Sequence, residues 1–242
     1  MVTSCNNCPL RKLDVFDDMT KAELEKTSRF KSGELDVDPR TPILMEGSNS
    51  PQLFTALQGM GLRYKILPNG RRQVINLIFP GDFIGLQAGM LGEMGHSVEA
   101  TTRMKLCVFD RSDFFEFFSN NPNRAFDITW LAATEEHFLG DTLTTVGQRD
   151  AFAAVAWAFV RIFQRGQSLE LTQDNTMPFP FKQQDIADTL GLSLVHTNKT
   201  LARLRERQLL TWAEGKLTVH DLGELANVAE MELEEVKTRP LI

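Results

Sequence analysis

Val195, His196, Asn198, Lys199 and Arg203 fall within one short stretch, and each brings a side chain able to touch nucleic acid. An Asn amide can make a bidentate pair with adenine, a Lys ammonium can donate to guanine, and a Val can pack on a thymine methyl. His196 offers a ring nitrogen to a base or a phosphate. Arg203, followed by Arg205 and Arg207, offers guanidinium donors to phosphates. A helix face that is merely solvated carries a Glu/Lys mixture instead. The chemistry open to this set is recognition of base edges, not bond making.

Such side chains need elements that hold them outward. Residues 181–210 supply a pair of helices. Ile186, Ala187 and Leu190 fall on one face of the first, and Thr197, Leu201 and Leu204 on one face of the second. Gly191 suits the left-handed backbone that ends a helix, and Ser193 suits the cap of the next. Lys182 and Gln183, at the head of the first helix, and Ser193 complete the candidate DNA-binding set. An ordinary helical hairpin shares the apolar spacing and the glycine. Here, however, Leu209–Trp212, Ala213–Lys216 and Leu217–Val219 read as strand, turn and strand. A hairpin behind the second helix makes a winged helix-turn-helix, whose second helix enters the major groove.

The chain of 242 residues carries a net charge of −6, which at first sight disfavours a polyanion. Its distribution matters more than its sum. Between Lys182 and Lys216 there are six basic residues against four acidic ones, whereas 221–242 is an acidic tail rich in glutamate. Three cysteines in a chain of this size argue against a disulfide framework. The apolar runs are too short to span a bilayer, and no basic-plus-apolar leader opens the chain, so a cytoplasmic protein with no membrane partner is expected.

Ahead of the helix pair the texture differs. Thr20–Phe30 reads as a helix with Thr20 and Glu23 forming a capping box. Alternating runs at Pro42–Met45, Leu53–Leu57, Leu62–Leu67, Gln73–Phe79 and Lys105–Phe109 are separated by Gly, Pro and Asn, as in an antiparallel roll. A Phe-rich helix over Asp113–Asn121 precedes a long proline-free helical pattern from Asn123 to Gly147. Its seam of Phe126, Ile128–Leu131, Phe138, Leu139, Leu143 and Val146 suits a second copy of itself, the alternative being a helix packed along its own domain. The expected architecture is α+β: a β-roll sensor over 10–118, a central dimerisation helix over 119–148, a winged helix-turn-helix over 149–220, and the tail.

This order, with FPGDFIG in the roll and DIADTLGLSLVHTNKTLARLRERQLL near the end, resembles the Crp/Fnr family of bacterial transcription regulators. The Fnr-like branch is the nearer one. The resemblance implies a homodimer joined along the central helix, a two-fold symmetric double-stranded DNA site, a sensing roll and contact with RNA polymerase. The best-known members carry a Glu and an Arg at the positions matching Val195 and Lys199, so a different half-site is implied. A cupin-like enzyme would need a cluster of His and carboxylate ligands in the strands, and the roll offers only His96.

The resemblance also frames the signal. Cyclic-nucleotide-binding relatives hold the phosphate with an Arg-Ser pair. Here His96-Ser97 stands in that segment, which weighs against cyclic AMP. The oxygen-sensing branch holds a [4Fe–4S] cluster with C-x2-C-x5-C and a fourth cysteine in the roll. The matching positions are Cys5, Cys8, Asp14 and Cys107, a candidate cluster site in which a carboxylate replaces one thiolate. The competing readings are three inherited or redox-active thiols, a regulator that has lost its effector, and a haem on His96 or His137.

Overall fold

Runs that alternate in polarity become strands because each can bury one face. The computed structural model describes residues 2–235 and 237–242. They group into two units, one of residues 1–71, 75–136 and 238–242, the other of 72–74 and 137–237.

In the first unit a short helix α1 (Lys21–Phe30) leads into β1 (Lys31–Val37), β2 (Pro42–Leu44), β3 (Gln52–Gln58), β4 (Gly61–Ile66), β5 (Arg72–Ile78) and β6 (Phe83–Ile84). Helix α2 (Leu86–Leu91), β7 (Ser97–Ala100), β8 (Met104–Asp110) and α3 (Phe114–Ser119) follow. The strands form two four-stranded antiparallel sheets, ordered β1-β8-β3-β6 and β2-β7-β4-β5. Phe54, Ile78, Ile84, Met94, Met104 and Leu106 fill the space between them. Thr20 and Glu23 cap α1 reciprocally, as the sequence indicates. Phe30 then stacks between Phe109 and Phe117, with ring centroids 4.8 and 4.3 Å away.

Three elements of this unit depart from the sequence pattern. β1 is a charged edge strand with a register shift between Lys31 and Gly33, so it lacks clean alternation. β7 is only four residues long. Within the segment compared with a nucleotide-binding loop, Leu86–Leu91 is helical and Met94 is buried in the core.

The Pro80-Gly81-Asp82 corner is fixed by backbone geometry. Gly81 has φ +88° and a Cβ there would strike the Phe16 ring. Its N–H donates to the Ala56 carbonyl at 2.7 Å, and Asp82 Oδ2 accepts from Phe79 N–H at 2.9 Å. Arg239 Nη1 reaches Asp82 Oδ1 at 2.9 Å. The segment ending at Ile242 is therefore part of this unit, not a loose acidic tail. Arg239 also bridges Phe16, Arg124 Nη1 donates to the Leu241 carbonyl at 3.0 Å, and Thr55 Oγ1 donates to the Ile242 carbonyl at 2.6 Å.

The long helix α4 (Pro122–Gln148) begins one residue earlier than expected, with Pro122 at its first position, where a missing N–H costs nothing. In the second unit α5 (Ala151–Ser168) is buried along Ala153–Val160. Asp150 caps it, Oδ1 accepting from Phe152 and Ala153 N–H at 2.8 Å each. Around it lie β9 (Thr176–Pro178), α6 (Gln183–Leu190), α7 (Leu194–Glu206), β10 (Leu210–Ala213), β11 (Lys216–Val219) and α8 (Leu222–Val228). The expected wing is β10 and β11, and β9 adds a third strand to it. Helix α8 replaces the first part of the expected tail. Asp221 caps it and Leu225 is buried.

Gly81→Ala forces a Cβ into the Phe16 ring at a positive φ. It should cost about 2 kcal/mol or more, read as a lowered unfolding midpoint.

Candidate nucleic-acid interface

The helix pair is built by its turn. Gly191 ends α6 in the left-handed region at φ +67°, and Leu192 N–H returns to the Ala187 carbonyl at 3.0 Å. Ser193 then caps α7, its Oγ accepting from His196 N–H at 3.2 Å. Thr197, Thr200, Leu201 and Leu204 are buried, which fixes the rotation of α7 about its axis.

Val195, His196, Asn198, Lys199 and Arg203 are all exposed on α7. Val195, Asn198 and Lys199 share its first turns, at spacings that place them on one face. His196, Lys199, Arg203 and Arg207 continue at three- and four-residue steps as a stripe of nitrogen-bearing side chains. Lys182 and Gln183 are exposed at the N-terminus of α6, and Lys182 N–H donates to Asp185 Oδ2 at 2.8 Å. Ser193 differs from the others, because its hydroxyl already serves the cap.

In the first unit Cys5, Cys8 and Cys107 line one cavity together with Lys31, Leu241 and Ile242. The N-terminal segment is tied over it by a buried pair. Lys31 Nζ bonds Glu34 Oε1 at 2.8 Å and the Thr3 carbonyl at 2.7 Å, and Thr3 N–H donates to Glu34 Oε1 at 2.8 Å. Burial opposes the Lys31 charge, yet Glu34 and Cys107 hold its pKa above the usual lysine value. Burial pushes the Cys107 thiol up to about 11, against the pull of Lys31. Asp14 is exposed and lies outside this lining. Among the described residues no group of three or more His, Cys, Asp or Glu is arranged to hold a metal ion. The set Cys5, Cys8, Asp14 and Cys107 thus comes together only in its three thiols, which does not fit a four-ligand cluster.

His96 is half-buried and its pKa is held down to about 4, by burial first and then by Arg63. The neighbouring Ser97 hydroxyl accepts from Glu46 N–H at 3.0 Å. His137 lies on α4, exposed, 3.8 Å from Asp141.

A filled antiparallel roll and a winged helix-turn-helix with an exposed polar recognition face define a sensor-linked, DNA-binding transcription regulator. Residues 34–121 match the model of the cyclic nucleotide-binding domain, and 154–228 that of the Crp-like helix-turn-helix domain. The chain belongs to the Crp/Fnr family and is a transcription regulator, not an enzyme. It is 28% identical over 223 residues to the nitrogen fixation regulation protein FixK of Bradyrhizobium diazoefficiens, covering 90% of each chain. It is 28% identical to the transcriptional activatory protein AadR of Rhodopseudomonas palustris, covering 84% of each. The transcriptional activator protein FnrL of Cereibacter sphaeroides is 24% identical, over 88% of this chain and 85% of that one. In fold, the solved structure of FixK2 from Bradyrhizobium japonicum superposes with a TM-score of 0.73 at 23% identity, covering 84% of this chain and 98% of that one.

Because burial keeps Cys107 protonated, its native alkylation at pH 8 should run about a hundredfold slower than that of an ordinary thiol. Denaturation should abolish the difference in peptide mass mapping.

Proposed function

We propose that this regulator acts as a homodimer that reads a two-fold symmetric DNA site through Val195, His196, Asn198 and Lys199, with Lys182, Gln183 and Arg203 on the backbone. The observation that carries this reading is the exposed face of α7. Thr197, Thr200, Leu201 and Leu204 are buried, while Val195, His196, Asn198, Lys199 and Arg203 are exposed. Asn198 suits adenine, Lys199 guanine and Val195 a thymine methyl. Ser193 acts through the helix cap. Two copies of α7 would occupy major grooves one helical turn apart.

Dimer formation is supported by α4. Leu139, Leu143 and Val146 are exposed at four- and three-residue steps, and Leu143 is 74% exposed. That spacing is the seam of a parallel coiled coil. Contact with RNA polymerase follows from activation at a promoter in this family, and is part of the same proposal.

The roll reads its signal without cyclic AMP and without a cluster. Met94 and Met104 occupy the interior, the Ser97 hydroxyl is engaged by Glu46, and His96 is neutral near pH 7. The cysteine cavity holds three thiols beside an ammonium group, with no fourth ligand among the described residues.

Substituting Asn198→Ala or Lys199→Ala should each weaken binding to a selected operator by about 1–3 kcal/mol and relax the preference at one base pair per half-site. Electrophoretic mobility shifts against single-base operator variants read this. Unchanged operator preference in both variants would remove α7 as the reader. Protein purified without oxygen should carry no stoichiometric iron or sulfide and no broad visible absorption. A stoichiometric cluster would overturn the thiol reading of the cavity.

A further inference from the structure

The recognition helix ends against an aromatic ring that belongs to a different helix. Phe152, in the first turn of α5, lies under two guanidinium groups. Arg203 Cζ is 4.3 Å and Arg207 Cζ 4.9 Å from its ring centroid. Arg203 and Arg207 are exposed and four residues apart, so their like charges repel along the helix. The negative face of the ring offsets that repulsion and draws both groups to one place. Among the described residues neither guanidinium has a carboxylate or hydrogen-bond partner, so their N–H donors remain open.

The backbone that carries the ring is anchored. Asp150 Oδ1 accepts from the backbone N–H of Phe152 and of Ala153, at 2.8 Å each. Just upstream, Arg149 Nε donates to the Ala229 carbonyl at 2.9 Å. Ala153 onward is buried, so the start of α5 has a fixed position relative to α7. Phe152 itself is half-buried, so one part of its ring remains accessible.

We propose that Phe152 is a positioning residue for DNA, and that with Arg203 and Arg207 it forms a clamp for a backbone phosphate beside the recognition helix. Two guanidinium groups held 4.3 and 4.9 Å from one ring centroid can both offer N–H donors to a phosphate. The stripe His196, Lys199, Arg203 and Arg207 leads from the base-reading end of α7 to this clamp. The clamp touches phosphate, so it sets register and affinity without selecting sequence. The inference rests on α7 being the DNA-reading helix.

The test uses the full chain and a DNA duplex of arbitrary sequence, titrated over a range of salt concentrations. Phe152→Leu keeps an apolar side chain of similar volume and removes the π face. It should lower affinity about three- to tenfold and make the slope of log K against log salt shallower, by up to about 0.9 for each phosphate no longer neutralised. Phe152→Trp should retain wild-type affinity. In a background of Arg203→Ala and Arg207→Ala, Phe152→Leu should have no further effect. A thermal melt unchanged between Phe152→Leu and wild type accompanies the expected result. Where the melt falls, the coupling in the arginine-free background still decides. Wild-type affinity and salt slope in Phe152→Leu would overturn the clamp. So would a loss of affinity that persists when both arginines are gone. A wild-type protein that binds no duplex would instead remove the DNA-reading assignment of α7, and the clamp with it.

Discussion

Burial of α5 is the constraint from which the DNA-reading unit follows. Ala153–Val160 is continuously buried, so this helix must be covered on every side. Helices α6, α7 and α8 and the aromatic group of Phe179, Phe181 and Trp212 provide that cover. Phe159 meets Phe179 and Trp212 edge-on, with centroids 5.8 and 5.7 Å away. Once Leu201 and Leu204 are committed to this core, α7 has no freedom to rotate. Which side chains face outward is then decided by helical geometry, not by the polar residues themselves. The Gly191 turn and the Ser193 cap set where α7 starts, and the core sets which way it faces.

The roll is arranged the other way. Its interior is closed by Met94 and Met104, flexible side chains that fill irregular space. Chemistry-bearing groups are displaced to its margin, where the N-terminal segment, β1, β8 and residues 241–242 meet around three thiols. The Lys31–Glu34 pair is buried on both sides, with side chains 6% and 5% exposed. A pair desolvated to this degree depends on its hydrogen bonds; those on Glu34 converge on Oε1, and Oε2 has only Lys105 Nζ at 3.8 Å. Here those bonds run to Thr3, which ties the cysteine-bearing segment to the sheet.

Much of this is legible in sequence where local rules and burial agree. The capping box of α1, the glycine turn, the cap of α7 and the wing all have short-range chemical signatures. β1 is hidden because a bulged edge strand carrying Lys31 and Glu34 has no alternation to see. α8 is masked by the glutamates around Leu225. The anchoring of residues 239–242 depends on partners such as Thr55, Asp82 and Arg124, far away in sequence, so no local pattern announces it. Asp14 matches a ligand spacing, yet spacing does not determine which way a side chain points. Phe152 looks in sequence like one more residue of an apolar run. Only the arrangement of α5 and α7 shows that it faces two arginines.

The anchoring of residues 239–242 changes the connectivity of the whole chain. The first unit is interrupted in sequence by the second, which is entered through α4 and left through the segment before Thr238. The DNA-reading unit is therefore a closed loop inserted into the sensor, with both of its ends attached. Loop-closure entropy grows only as the logarithm of length, so such an insertion adds little to the cost of folding.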